Sequence, residues 1–427
     1  MKMTLKVRLI IMNFLQFFVW GAWMMTLGHY GFVEKQWNGA EFGLVFSTMG
    51  FASLIMPTLF GIIADKWKAN YVFTILHLLF GATMLLLPSI DSPVTFFWVL
   101  LVAMSFYMPT IGLNNSVGFK ALKNEDKDPT EYFPPIRVWG TVGFIAAMWI
   151  TNLFTKEWGF GQSIKVSFYI SAIFAFVLSL FSFLFLPVVR NDNKSQSHEN
   201  KSLIQKLGLE AFVLFKQKKM AMFFIFSMLL GGALQLTNAY GDSFLQDASV
   251  FPKGELINNF STIILSISQI SETLFILAIP FFMKKFGIKN VMLFSMIAWV
   301  LRFGLFGLAG NDVAGFTLII TSCIIYGMAF DFFNISGALF VEKNTSSDIQ
   351  SSAQGLFMLM TNGVGAVLGN IIAGFVIAKW FEDPITHIKD WSNIWLSFAA
   401  YALVVAVVFA ITFKHKHNPE EFKNGIA

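Results

Sequence analysis

The fold class predicted by the sequence is an all-α membrane protein of twelve transmembrane helices in two groups of six, on three observations. The chain has 427 residues, of which 56% are hydrophobic and 13% charged, with 51 Phe, 20 Met and a mean hydropathy of +0.65. That is the composition of a polytopic membrane protein. Apolar runs recur about every 30 to 35 residues along nearly the whole length, which leaves little room for a separate soluble domain. The basic residues are sorted by side: Lys35, Lys156, Lys165, Lys253, Lys379 and Lys389 fall in alternate loops, Arg137 and Arg302 fall inside apolar runs, and the other 22 of the 30 Lys and Arg fall in the remaining segments. Such a bias fits an even number of helices with both termini cytoplasmic.

In chain order, hydropathy places spans at about 7–32, 41–63, 71–88, 94–117, 136–155, 166–188, 220–241, 259–282, 289–309, 314–339, 352–378 and 392–413. Each should be a helix, because lipid offers backbone N–H and C=O groups no partner outside the segment. The first apolar run continues past Thr26 without a small-residue cleavage site, so it reads as a span and not as a signal peptide. The longest break, from Arg190 to Lys219, contains RNDNKSQSHENKS and KQKK and reads as a solvated cytoplasmic linker, with an amphipathic piece at Leu203 to Phe215. The resulting division is 1–189 for an N-terminal six-helix bundle, 190–219 for the linker, 220–414 for a C-terminal six-helix bundle and 415–427 for a cytoplasmic tail. The halves carry a weak echo of one another: Asp65-Lys66-Trp67-Lys68 after the second span matches Lys284-Lys285-Phe286-Gly287 after the eighth at an offset of 219 residues.

The net charge of +5 reflects this topological sorting and not a nucleic-acid surface. The single cysteine, Cys323, allows no internal disulfide and no CxxC metal site. The chain carries no GxSxG, HExxH or P-loop pattern and no nucleotide-binding domain, so neither an enzyme nor an ATP-driven pump is expected, and no cofactor or metal is implied.

What remains to be explained is polar chemistry inside the spans. Asp331 interrupts the apolar run YGMAFDFFNIS. Placing an ionised Asp at the bilayer centre costs roughly 2.5–3.5 kcal/mol on insertion scales, so such a residue faces a watery cavity, pairs with a partner or carries a proton. It lies twelve residues before Lys343, and Glu272 lies twelve residues before Lys284. At 1.5 Å per residue both acids sit roughly 18 Å from their basic end, near one depth. Pairing with Arg302 or Arg137 is the structural alternative for either acid. Tyr326 and Phe330 are four apart on the Asp331 helix, as aromatic surfaces that could stack on a planar ligand. Gln235 and Asn238 in span seven, and Gln269 and Glu272 in span eight, are three apart and share a face; amides both donate and accept, which suits a neutral ligand with hydroxyls or ring nitrogens. In span five, Pro134 and Pro135 open the helix, and Arg137, Thr141 and Phe144 recur on one face. After span two, Gly61, Asp65 and Lys66 match the GxxxDK part of the loop signature of the major facilitator superfamily, in which the glycine permits close helix approach and the acid at the helix end can lock one conformation.

The phrases FLQFFVWGAW, GIIADKW, FPPIRVWGTVGF, FFIFSMLLGGALQLTN, SISQISETLFILAIPFF, YGMAFDFFNISG and SAQGLFMLMTNG together resemble the bacterial nucleoside:proton symporters of the major facilitator superfamily, over essentially the whole chain. The resemblance implies two six-helix bundles around a central cavity and uptake of nucleosides, purine and pyrimidine, with protons across the cell inner membrane by alternating access. It also implies that Arg137, Thr141, Phe144, Gln235, Asn238, Gln269, Glu272, Tyr326, Phe330 and Asp331 form the substrate site. Asp331 and Glu272 are the candidates for proton coupling, and a monomer in the lipid bilayer is the expected state. A carrier of another polar metabolite, such as a sugar, and a receptor that binds a nucleoside without moving it are the rival readings of the same residues.

Overall fold

Each expected span is helical over most of its length in the computed structural model, which describes residues 3–187, 209–346 and 349–415. Residues 190–208 of the expected linker and 416–427 of the expected tail lie outside the described residues, as does the side chain of Asp65. Ten helices are long and apolar enough to cross a membrane. Within the described residues the chain packs as two compact units, one holding residues 3–37 and 44–187, the other holding 38–43 and everything from 209 onward.

The first unit is built on α1 (Leu5–Gly21), α3 (Thr48–Lys66), α4 (Ala69–Met84), α5 (Pro93–Lys123), α6 (Pro134–Thr155) and α7 (Val166–Phe185). The run expected as one span over 7–32 is interrupted. Helix α1 ends at Gly21, a turn follows, and Tyr30–Glu34 closes the segment as a π-helix. Helices α1 and α6 touch backbone to backbone: a Cβ at Gly143 would strike the Phe14 carbonyl, and Thr151 Oγ1 donates to the Ala22 carbonyl at 2.9 Å. Polar side chains inside the unit hydrogen-bond across helices, with Asn114 Nδ2 donating to Asn13 Oδ1 at 2.8 Å and Gln16 Nε2 to Thr110 Oγ1 at 2.8 Å. Such pairs hold spans together where lipid supplies no hydrophobic drive. His77 is fully buried, with Nδ1 at 2.9 Å from the Phe73 carbonyl.

The second unit contains α8 (Lys218–Gln246), α9 (Ser261–Gly307), α10 (Val313–Asn344), α11 (Gln350–Trp380) and α12 (Trp391–Thr412). Helix α9 runs for 47 residues but is broken at Gly287, whose φ of 75° is left-handed. Only glycine adopts that conformation without strain. The break sits 219 residues after Lys68, where the chain turns extended between α3 and α4, so the two halves of the weak sequence echo end their helices at matching points. In α11 the helix widens to a π-helix over Leu359–Gly365 before resuming. Side-chain caps start α10 and α12: Asp312 accepts from Gly315 N–H at 2.6 Å, and Asp390 from Asn393 N–H at 3.1 Å.

Residues 38–43 include the first turns of α2 (Gly39–Phe46) and belong to the second unit through a polar contact as well as packing. Glu382, in the loop between α11 and α12, accepts the Gly39 N–H at 2.7 Å with Oε2, while its Oε1 receives Lys389 Nζ at 3.3 Å and lies 3.1 Å from His387 Nδ1. Burial draws the Lys389 ammonium pKa down, and the Glu382 carboxylate beside it opposes that shift. The Phe42 ring meets Tyr240 edge-on at 5.4 Å.

Candidate functional site

Helix α10 is pressed against α9 at the depth of the two acids. Gly327 has no room for a Cβ, which would come within 2.7 Å of the Glu272 nitrogen, and Ser271 Oγ donates to the Ile324 carbonyl. Asp331 follows Gly327 by one helical turn on the same face, so the close approach brings the two acid-bearing turns side by side. Asp331 is 5% exposed, and its Oδ2 is buried with no hydrogen-bond partner among the described residues. Gln269, on the preceding turn of α9, likewise buries an unpartnered Oε1. Unpaired acceptors at this depth cost free energy unless something brings them a proton or a donor.

Arg302 is not the partner of either acid. It is buried to 1% exposure, its Nε donates to Thr237 Oγ1 at 3.2 Å and its Nη1 to the Ser322 carbonyl at 2.8 Å. Its guanidinium lies over the rings of Tyr326 at 4.6 Å and Phe306 at 5.0 Å. The ion pair with Arg302 considered from sequence is therefore replaced by cation–π and carbonyl contacts that tie α8, α9 and α10 together. This arrangement also changes the part open to Tyr326. Its ring is 4% exposed, covered by Arg302, met edge-on by Trp299 at 5.8 Å and stacked at 6.2 Å on Phe330. Phe330 is the less buried ring of the pair, and it lines a half-open cleft shared with Leu230, Gly231 and Leu234 of α8, Trp299 of α9, Ala329, Phe333 and Asn334 of α10, and Thr361 and Asn362 of α11. Gln235 and Asn238 are half-buried on α8, on either side of the Thr237 that Arg302 holds and the adjoining Leu236.

In the first unit, Arg137 places its guanidinium 3.9 Å above the Phe17 ring, one turn before the half-buried Thr141. Phe144 is 9% exposed, backed by Gly21 and edge-on to Trp20 at 6.5 Å. The three lie along one stripe of α6, and Gly21 and Gly143 let that helix approach α1. An added Cβ at Gly61 would meet nothing within 4 Å. Lys66 closes α3.

The sequence reading passed over Asn334, Asn362 and Trp299. Asn334 was within reach, being four residues beyond Phe330 on the same helix face. Asn362 lies inside the π-helix, where the extra residue per turn rotates the helix face away from α-helical spacing, so spacing alone does not assign its direction.

Comparison with known proteins decides the family. A protein-family model described as "Nucleoside H+ symporter" matches residues 3–418. The chain belongs to the nucleoside H+ symporter family. Two curated relatives from Escherichia coli (strain K12) align over nearly the full length of both chains: a xanthosine permease, 46% identical and covering 99% of each, and the nucleoside permease NupG, 47% identical and covering 97% of each. The crystal structure of the nucleoside transporter NupG superposes with a TM-score of 0.86 at 46% identity, covering 97% of this chain and 100% of that one. A nucleoside H+ symporter is a membrane transporter, and the apolar helices described above make this one multi-pass.

Proposed function

We propose that this chain carries purine and pyrimidine nucleosides together with protons into the cell across the inner membrane, as a monomer that alternates access through two six-helix bundles. Twelve crossings follow if the segment Leu5–Glu34 is counted and α9 is counted twice, once on each side of Gly287, in addition to the other nine long apolar helices. An even number puts both termini on one side of the membrane, and the bias of Lys and Arg makes that side the cytoplasm.

The observation that carries the reading is the buried, unpartnered carboxylate oxygen of Asp331 beside the Glu272 turn, in the same unit as an aromatic cleft. A proton on either acid removes the cost of holding a charge away from water while the carrier changes state, and a ribose hydroxyl would supply the donor that Asp331 and Gln269 lack. In this reading Gln235, Asn238, Gln269, Glu272 and Asp331 hold the ribose, Phe330 stacks on the base, and Tyr326 acts as the support behind Phe330. Arg137, Thr141 and Phe144 are the contribution of the first unit. Asp65 and Lys66 belong to the conformational loop.

Uptake of labelled uridine and adenosine into proteoliposomes, with and without an inward proton gradient, tests the coupling. Accumulation above the external concentration is expected only with the gradient, and equal initial rates in both conditions would refute symport. Asp331→Asn and Glu272→Gln are expected to abolish accumulation while the protein remains monodisperse; gradient-driven uptake unaltered in both would remove the acids from the mechanism. Competition by free ribose but not by nucleosides would instead point to a sugar carrier.

A further inference from the structure

The cleft beside Phe330 contains two amides that the proposed ribose site does not use. Asn334 follows Phe330 by one turn of α10, half-buried and without a hydrogen bond to any described residue. Asn362 stands in the middle of the π-helical stretch of α11, and the one contact its Nδ2 makes is with the Sδ of Met358 at 3.6 Å, a weak acceptor. Both residues lie well inside helices long enough to cross the membrane. Polar side chains there are normally spent on a neighbouring helix, as Asn13 and Asn114 are in the first unit. The two amides, Asn334 half-buried and Asn362 exposed, lie on two helices around one stacking ring and are open to an external partner. The π-helix adds an independent sign, because such local widenings of a helix concentrate at functional sites. Gly231 of α8 meets the Thr361 backbone so closely that it admits no Cβ, which fixes the widened turn against its neighbour.

We infer that Asn334 and Asn362 form the nucleobase-reading subsite of this transporter, hydrogen-bonding the polar edge of a base stacked on Phe330. The inference rests on the reading of Phe330 as the stacking surface. An amide presents one donor and one acceptor side by side and can turn over by half a rotation. It can therefore match a keto–imino edge, as in uracil or hypoxanthine, and also an amino–imine edge, as in cytosine or adenine. Two such groups explain how one cleft can accept purine and pyrimidine nucleosides alike, which a fixed acceptor or a fixed donor could not.

The test is transport by the reconstituted protein with four substrates, uridine, cytidine, adenosine and inosine, comparing wild type with Asn334→Leu, Asn362→Leu and Phe330→Ala. Leucine keeps the size of the amide and removes its hydrogen bonds, and the conservative Asn362→Gln serves as a rescue. Each leucine variant is expected to raise KM by roughly tenfold, the equivalent of one hydrogen bond of about 1.4 kcal/mol. The rise should appear with all four substrates, since the amide turns over to serve each, with kcat nearly unchanged and partial recovery in Asn362→Gln. Unchanged KM values, or a loss confined to kcat in both leucine variants, would overturn the base-reading role. Phe330→Ala separates the two layers: a raised KM there with unaffected leucine variants refutes only the amides, whereas an unchanged KM in Phe330→Ala refutes the stacking surface and the subsite together.

Discussion

Arg302 shows how a single buried cation can organise a binding surface without touching an acid. Its charge is met by the Ser322 carbonyl, the Thr237 hydroxyl and two aromatic faces, so three helices share one anchor. Removing it frees the Tyr326 ring and, behind it, the pose of Phe330. Arg302→Met is therefore expected to weaken uridine binding severalfold in calorimetry and to lower stability by about 2 kcal/mol, in line with the loss of charged hydrogen bonds. Arg302→Lys should restore little of either, since an ammonium cannot both span the two hydrogen bonds and lie flat on the rings. Full binding in the methionine variant would show that Tyr326 is held by packing alone. At this scale the sequence revealed the acids and amides, because charge in an apolar run and spacing along a face are local properties. It did not reveal the partner of Arg302, since a carbonyl or a ring face leaves no trace in residue type.

Among the elements, the loop Phe381–Asp390 does more than join α11 to α12. Glu382, 8% exposed, binds Lys389, approaches His387 and caps the first turn of α2, so one carboxylate satisfies three neighbours. Glu382→Gln would take from Lys389, 6% exposed, the carboxylate it hydrogen-bonds. Removing one member of a buried pair costs about 3 kcal/mol. Thermal unfolding of the purified protein is expected to shift down accordingly, and an unchanged melting temperature would show that water already screens the loop. Helix identity was legible from hydropathy along the whole described chain. The π-helices at Tyr30–Glu34 and Leu359–Gly365 were not, because they differ from an α-helix only in hydrogen-bond register, and side-chain composition barely senses one carbonyl's choice of partner.

For the whole molecule, the sequence echo between Asp65–Lys68 and Lys284–Gly287 was faint, yet the helices on both sides end at corresponding points. That periodicity is set by the lengths of helix needed to span a bilayer, which is why it outlasts the identities of the residues. The excursion of residues 38–43 into the second unit was not legible, since the sequence order gives no sign of a hydrogen bond to Glu382 more than 340 residues away. Cys323, fully buried next to the Ser322 carbonyl that holds Arg302, is the chain's one thiol. The protein thus supplies its own silent background for labelling. A maleimide reagent should leave the folded wild type unmodified and react once it is denatured, as read by intact mass. Any cysteine placed by mutation at an exposed position, such as Asn362 in the cleft, then reports its accessibility alone, turning substrate occupancy into a labelling rate that requires no radioactive tracer.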